Sequence, residues 1–182
     1  MKHRTLLKCL LGAHIAFVLS ACYALQPAEE PLQVSTQIQA KSGSNVKGWV
    51  RFAPDGWGKV EVTAEIHGLS PGSHGFHVHE YGDCSAADGS SAGGHFNPTG
   101  VAHGSPEANA HHMGDLGNIV ADASGVARVQ RRFDPLKLRG SKGILGRAVV
   151  IHEKADDLQS QPSGAAGKRV GCGVIAIQQK AS

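Results

Sequence analysis

Eight short segments of alternating side chains succeed one another along this chain, at 33–40, 47–52, 59–67, 75–79, 118–122, 126–133, 147–153 and 173–178. Each is rich in Val, Ile or Phe and is bounded by Gly, Pro, Asp, Asn or Ser, the composition of a half-buried strand between turns. Asp55-Gly56 and Ser124-Gly125 supply turn chemistry between neighbours, and no window carries a helical period. The chain is therefore predicted to be all-β, a sandwich or barrel of about 150 residues, large enough to bury roughly 70% of its unfolded surface. Two intervals, 80–117 and 154–171, are too long for tight turns. Long loops on a rigid scaffold are where function concentrates.

The amino-terminal part reads differently. Lys2, His3, Arg4 and Lys8 precede a mostly apolar run from Cys9 to Leu19, and small residues follow at Ser20 and Ala21, so 1–21 is expected to be a secretory signal. The apolar run is short for a permanent membrane span and contains His14. Leu19-Ser20-Ala21-Cys22 resembles a lipobox, which would make Cys22 the first mature residue and an acylation site; cleavage after Ala24 is the alternative. Acyl chains there would tether the chain to a membrane. Gln26 to Pro31 is polar with two prolines and two glutamates, so 22–32 reads as a flexible tether and 33–182 as the folded domain.

Removing 1–21 takes away Lys2, Arg4 and Lys8 and no acid, which leaves Lys and Arg balanced against Asp and Glu. The basicity of the whole chain belongs to its leader. No basic domain remains, so nucleic acid is not expected as a partner. Arg131, Arg132, Lys137, Arg139 and Lys142 read as a solvated surface. Once Cys9 and Cys22 are set aside, Cys84 and Cys172 remain, and in an oxidising compartment such as a periplasm a disulfide is the economical reading.

Histidine carries the chemistry. His77-Val78-His79 sets two imidazoles at i and i+2, on one face of an extended strand, and His152 ends another strand. Neutral imidazoles suit copper, zinc, iron and nickel, and a tetragonal nitrogen array favours Cu(II). His95, His103, His112 and Asp115 offer three nitrogens and one oxygen, a closed set suited to tetrahedral zinc. His74 reads as a hydrogen-bonded structural residue and His67 as structural or surface. The steps from His103 and to Asp115 favour His112 over His111 as a ligand. Trp49, Phe52 and Trp57 read as packing or interface residues.

The segments GFHVHEYGDC, AGGHFNP, HMGDLGNIVAD, GRAVVIHEKADD and GKRVGCGVIAI, in that order and with the His103 to His112 spacing, resemble copper/zinc superoxide dismutases of the secreted bacterial kind over 33–179. That resemblance implies an eight-stranded Greek-key barrel with copper on His77, His79, His95 and His152, and zinc on His95, His103, His112 and Asp115. His95 would bridge both ions and carry a proton in turnover, since cations at both nitrogens override the ordinary pKa. Asp156 would link His77 to His103 and orient both rings. Arg169 would guide and bind the anion with fixed charge and paired donors. The implied reaction turns superoxide into dioxygen and hydrogen peroxide and protects the cell envelope, and a homodimer is an expected assembly.

Two departures from the family pattern stand out. The interval from Cys84 to His95 is longer than in cytosolic members, with 86–91 as the insertion, a change that accompanies a different dimer contact in bacterial relatives. The segment 158–168 is short and lacks a charged cluster; Pro162 and Ser163 stand near expected Lys and Thr positions, and Lys168 is the cation left to compensate in part. Histidines alone would also suit a metal store or a copper-delivery protein. Arg169, Asp156 and the cysteine pair favour redox catalysis.

Overall fold

The computed structural model describes residues 32–134 and 136–178. The predicted signal, Cys22 and all but the end of the predicted tether lie outside the described residues. Strands β1 (Val34–Ala40), β2 (Lys47–Pro54), β3 (Val60–His67), β4 (Gly72–His79), β5 (Asp115–Ala121), β6 (Ala127–Phe133), β7 (Ala148–His152), β8 (Arg169–Val174) and β9 (Ala176–Ile177) form one antiparallel sheet. Their order is β2-β3-β6-β5-β4-β7-β8-β1-β9, and β1 also pairs with β2, which closes the barrel. Two connections, β3 to β4 and β6 to β7, cross over their neighbours in the Greek-key manner. β8 and β9 are one edge interrupted at Ile175, so the expected eight-stranded architecture is the one observed.

Local chemistry explains the hairpins. Asp55 Oδ1 accepts from the main-chain N–H of Trp57 and Lys59, and Asp122 Oδ1 does the same for Ser124 and Val126. Each carboxylate satisfies turn donors that face no partner strand. Gly125 sits at φ 77°, and a Cβ there would fall 2.5 Å from the Leu69 carbonyl oxygen, so the β5 to β6 turn packs its backbone too closely for any side chain.

Alternation fills the barrel. Val34, Ile38, Val50, Phe52, Val62, Ile66, Phe76, Val78, Ile119, Val149 and Ile151 belong to one buried apolar cluster. On β4 the other face, His77 and His79, is buried as well, because loops cover the barrel there. Ala148, Val150, Cys172 and Ala92 form a second small cluster outside the barrel, against which the disulfide end of the first loop packs. The metal-capable residues therefore stand on the outer wall of the sheet, beneath two loops, 80–114 and 153–168.

The last strand departs from expectation. Pairing was predicted at 173–178 but starts at Arg169 and breaks at Ile175, whose N–H donates to Arg147 O. β1 lies antiparallel beside both halves, with Gln39 opposite Cys172 and Ser35 opposite Ala176, and the approach is close: a Cβ at Gly171 would lie 2.7 Å from Ile38 Cγ2, and one at Gly173 would overlap Thr36 and Gln37. The glycines that look like strand breakers let two strands approach closely.

Candidate metal centre

Asp115 opens β5, His152 ends β7 and Arg169 opens β8, so three of the predicted site residues sit at strand ends where sheet and loop meet. A register shift between Gly75 and His77 sets His77 opposite Asp115, and a second between Ile151 and His152 sets His152 opposite Arg169. Such bulges re-aim side chains. His95 is carried by the first loop but is fixed to the sheet by a bridge to His79.

Two groups of buried ligand atoms result, each with all its atoms within 4.8 Å of one another: His77, His79, His95 and His152, and His95, His103, His112 and Asp115. Only His95 belongs to both. Its Nδ1 stands 2.8 Å from Asp115 Oδ1, while its Nε2 is buried without a partner among the first group.

Outer nitrogens are engaged in each ring of the first group. His77 Nε2 donates to Asp156 Oδ2 at 2.8 Å, His79 Nδ1 to Gly93 O at 2.9 Å and His152 Nδ1 to Gly167 O at 3.2 Å. Burial, reinforced by neighbouring histidines, holds the pKa of His77 and His79 well below the usual value, and burial brings that of His152 down to about 4. These imidazoles are neutral at pH 7, with the lone pairs of His77 Nδ1, His79 Nε2 and His152 Nε2 turned inward. His79 Nε2 and His152 Nε2 stand 3.4 Å apart, and because each ring's proton is committed at Nδ1 to a carbonyl, each presents a lone pair to the other. Converging acceptors of this kind fit a bound cation.

Around Asp115 the pattern repeats. Its Oδ1 faces the Nδ1 atoms of His95, His103 and His112 at 2.8, 3.0 and 3.3 Å, and the last two lack hydrogen-bond alignment. Oδ2 accepts instead from the N–H of Gly104 and His112. Burial would raise the Asp115 pKa, but the hydrogen bond from His95 and the charges of His103 and His112 bring it below the usual range. For His103 burial opposes the proton and the Asp156 and Asp115 carboxylates outweigh it, so its pKa is raised; for His112 burial prevails and lowers it. Three nitrogens and one anionic oxygen suit a tetrahedral Zn²⁺.

Asp156 joins the groups: Oδ1 accepts from His103 Nε2 at 2.9 Å and Oδ2 from His77 Nε2 at 2.8 Å. Gly164 lies so close that a Cβ would come within 2.5 Å of the Asp156 Cγ and 2.8 Å of His103 Nε2. Arg169 donates from Nη1 to Gly89 O and from Nη2 to Gly93 O, both at 2.7 Å. Gly93 O thus anchors both the guanidinium and His79. Burial lowers the Arg169 pKa, opposed by Asp88, yet guanidinium remains charged. A cavity of roughly 460 Å³ opens onto the first group, with Arg169 its lone lining cation among the described residues and no carboxylate on its wall.

The expected disulfide is present between Cys84 and Cys172. Pro162 and Ser163 line the cavity; Lys168 is exposed and is not among the residues that do. His74 is structural, with ring nitrogens 2.8 Å from His152 O and Ser70 O, and His111 belongs to neither group. Sequence reasoning missed Gln161, Gly164 and Arg147. Arg147 donates to Gly143 O and Glu80 O and stacks 3.5 Å over Phe96, beside His95.

A closed Greek-key barrel bearing two buried ligand quartets that share one imidazole defines a binuclear metalloprotein whose first metal has an open, cationic approach. Comparison with known proteins gives that class a family. Residues 46–175 match the model of copper/zinc superoxide dismutase. The chain is 46% identical over 145 residues to copper/zinc superoxide dismutase 3 of Arabidopsis thaliana, covering 76% of this chain and 87% of that protein. It is 49% identical over 138 residues to the copper/zinc superoxide dismutase of Paramecium bursaria Chlorella virus 1, covering 71% and 72%. A crystal structure of the clock protein EA4 superposes with a TM-score of 0.75 at 43% identity, over 81% of this chain and 96% of that one. This chain belongs to the copper/zinc superoxide dismutase family. It is an oxidoreductase whose metals are copper and zinc.

Proposed function

We propose that His77, His79, His95 and His152 hold copper, that His95, His103, His112 and Asp115 hold zinc, and that Arg169 binds superoxide beside the copper. The observation that carries this reading is the sharing of His95 by two buried quartets, with Arg169 paired across β7 and β8 to His152. When bound, copper supplies one-electron exchange between Cu(II) and Cu(I), and zinc supplies fixed positive charge. Two superoxide anions and two protons give dioxygen and hydrogen peroxide.

The chain's own residues then have separable tasks. Arg169, with its guanidinium held by two carbonyls, offers its remaining face to an anion that has lost water in the cavity. His95 Nε2 is the nitrogen at which a proton can be held and passed on, because its Nδ1 is committed to the Asp115 side. Asp156 fixes the tautomer of His77 and His103 together. Substitution of His152 by alanine tests the division of ligands. Turnover should vanish while zinc stays bound; full activity would refute the assignment.

The leader 1–21, the tether 22–32 and the domain 33–182 belong to the same reading, as does acylation at Cys22. They support an exported dismutase of the bacterial secreted type, anchored in the periplasm or cell envelope and protecting it from superoxide. The support is the charged start, apolar run and small residues before Cys22, together with the Cys84 and Cys172 disulfide. A homodimer is the proposed assembly. Native mass spectrometry of protein recovered from its own envelope reads acyl mass and subunit count together. An unacylated mature chain would refute the anchor.

A further inference from the structure

Gln161 stands in the short second loop, eight residues before Arg169, and its side chain makes a contact that no ligand assignment includes. The main-chain N–H of His103 donates to Gln161 Oε1 at 2.9 Å, and Gln161 Nε2 donates to His103 O at 3.0 Å and to Gln159 O at 3.1 Å. One amide thus satisfies both main-chain groups of one residue, as a neighbouring strand would. Asn118 does the same for Asp156, donating to its carbonyl at 2.8 Å and accepting from its N–H at 2.7 Å. The residues so gripped, His103 and Asp156, are joined by their own side chains at 2.9 Å. Main chain and side chain are therefore fixed together at both ends of that bond.

The two grips differ in what else supports them. Asn118 lies within β5, inside the sheet. Among the described residues, the paired bonds of Gln161 are the only direct hydrogen bonds between 97–114 and 157–168. Without them the loop bearing His103 and His112 would be joined to the second loop through the His103 to Asp156 bond alone. Gln161 also lines the cavity, where water competes for its amide.

We propose that Gln161 is a positioning residue that holds His103 in place and so sets how fast zinc leaves. The inference rests on His103 as a zinc ligand. Q161M keeps length and volume and removes both bonds; Q161N keeps the amide and withdraws it by one methylene, and serves as the second variant should Q161M fold poorly. Q159M changes an exposed neighbour that contributes only main-chain groups and is the control.

The experiment loads each protein with copper and zinc, mixes it with a chromophoric zinc chelator, and records zinc release, copper retained and the melting temperature of the metal-free form. Zinc should leave Q161M and Q161N about 10- to 100-fold faster, the change that one to two net hydrogen bonds represent, with copper retention unchanged, metal-free melting lowered by no more than those bonds represent, and Q159M like the wild type throughout. Wild-type release rates in Q161M and Q161N would overturn the proposal, as would equal acceleration in Q159M or parallel loss of both metals, which mark general loosening. A wild-type chain that takes up no zinc would refute the quartet itself and this inference with it.

Discussion

Replacing Gly164 by alanine adds one methyl group, removes no proposed ligand to either metal, and should nonetheless impair the zinc site. Gly164 has φ 66°, a left-handed conformation that costs an ordinary residue about 1–2 kcal/mol. The new Cβ would stand 2.5 Å from Asp156 Cγ, where ordinary carbon contacts begin near about 3.5 Å, so the carboxylate must retreat by about 1 Å. Its bond to His103 Nε2 is 2.9 Å and cannot absorb that displacement. Loss of a charged hydrogen bond costs about 1.5–3 kcal/mol, which brings the total to roughly 3–5 kcal/mol. Only the second part concerns zinc, for which disturbed outer partners lower affinity about 10- to 100-fold.

Gly56 separates the two contributions. It has φ 81° and no atom within 4 Å of a Cβ, so G56A bears the backbone cost alone. Competition with a zinc-selective indicator, paired with urea unfolding of the metal-free proteins, should show both variants destabilised and only G164A weakened for zinc. Equal zinc affinity in G164A and wild type would refute the reasoning, since Asp156 would then be free to move without disturbing His103.

Other predictions follow from the same contacts. Reducing Cys84 and Cys172 opens an 88-residue loop, for which chain entropy gives up to about 4.6 kcal/mol, so the melting temperature should fall by about ten degrees or more, and an unchanged value would contradict it. R169Q should lower the second-order rate with superoxide about 10- to 100-fold and flatten its dependence on ionic strength; an unaltered salt dependence would remove Arg169 from the approach. In the metal-free protein His152 has a folded pKa of about 4 against an unfolded value near about 6.5, so the unfolded state binds more protons between them. Stability should therefore fall as pH drops through that window, by roughly 3 kcal/mol from this residue, and level off below it. Urea midpoints across pH should show a slope that shrinks in H152Q; equal slopes would dismiss the assignment.

The parts of the molecule visible in its sequence are those with local period or composition. Alternation located the strands, and His77-Val78-His79 announced two rings on one face because strand geometry repeats every two residues. His95, His103, His112 and Asp115 are grouped by their donor types, but joining His95 to His77, His79 and His152 comes from family resemblance, since nothing local relates His95 to His152. Gln161 and Gly164 escaped notice because their partners, His103 and Asp156, meet them only after two loops fold together. The start of pairing at Arg169 escaped for a related reason: Gly171 and Gly173 resemble weak strand formers until β1 is paired beside them. Nothing in the sequence assigns Arg147 a role, because its grip on Glu80 O requires the barrel to bring the ends of β4 and β7 together.

The central claim is that one copper per chain, beside a zinc held through the shared His95, makes this protein a dismutase. Stepwise addition of copper to the zinc-loaded protein, with superoxide decay followed by stopped flow after each addition, tests it most directly. The decay rate should rise in proportion to copper and stop rising at one copper per chain. A fully loaded protein that leaves superoxide to decay at its spontaneous rate would contradict the account.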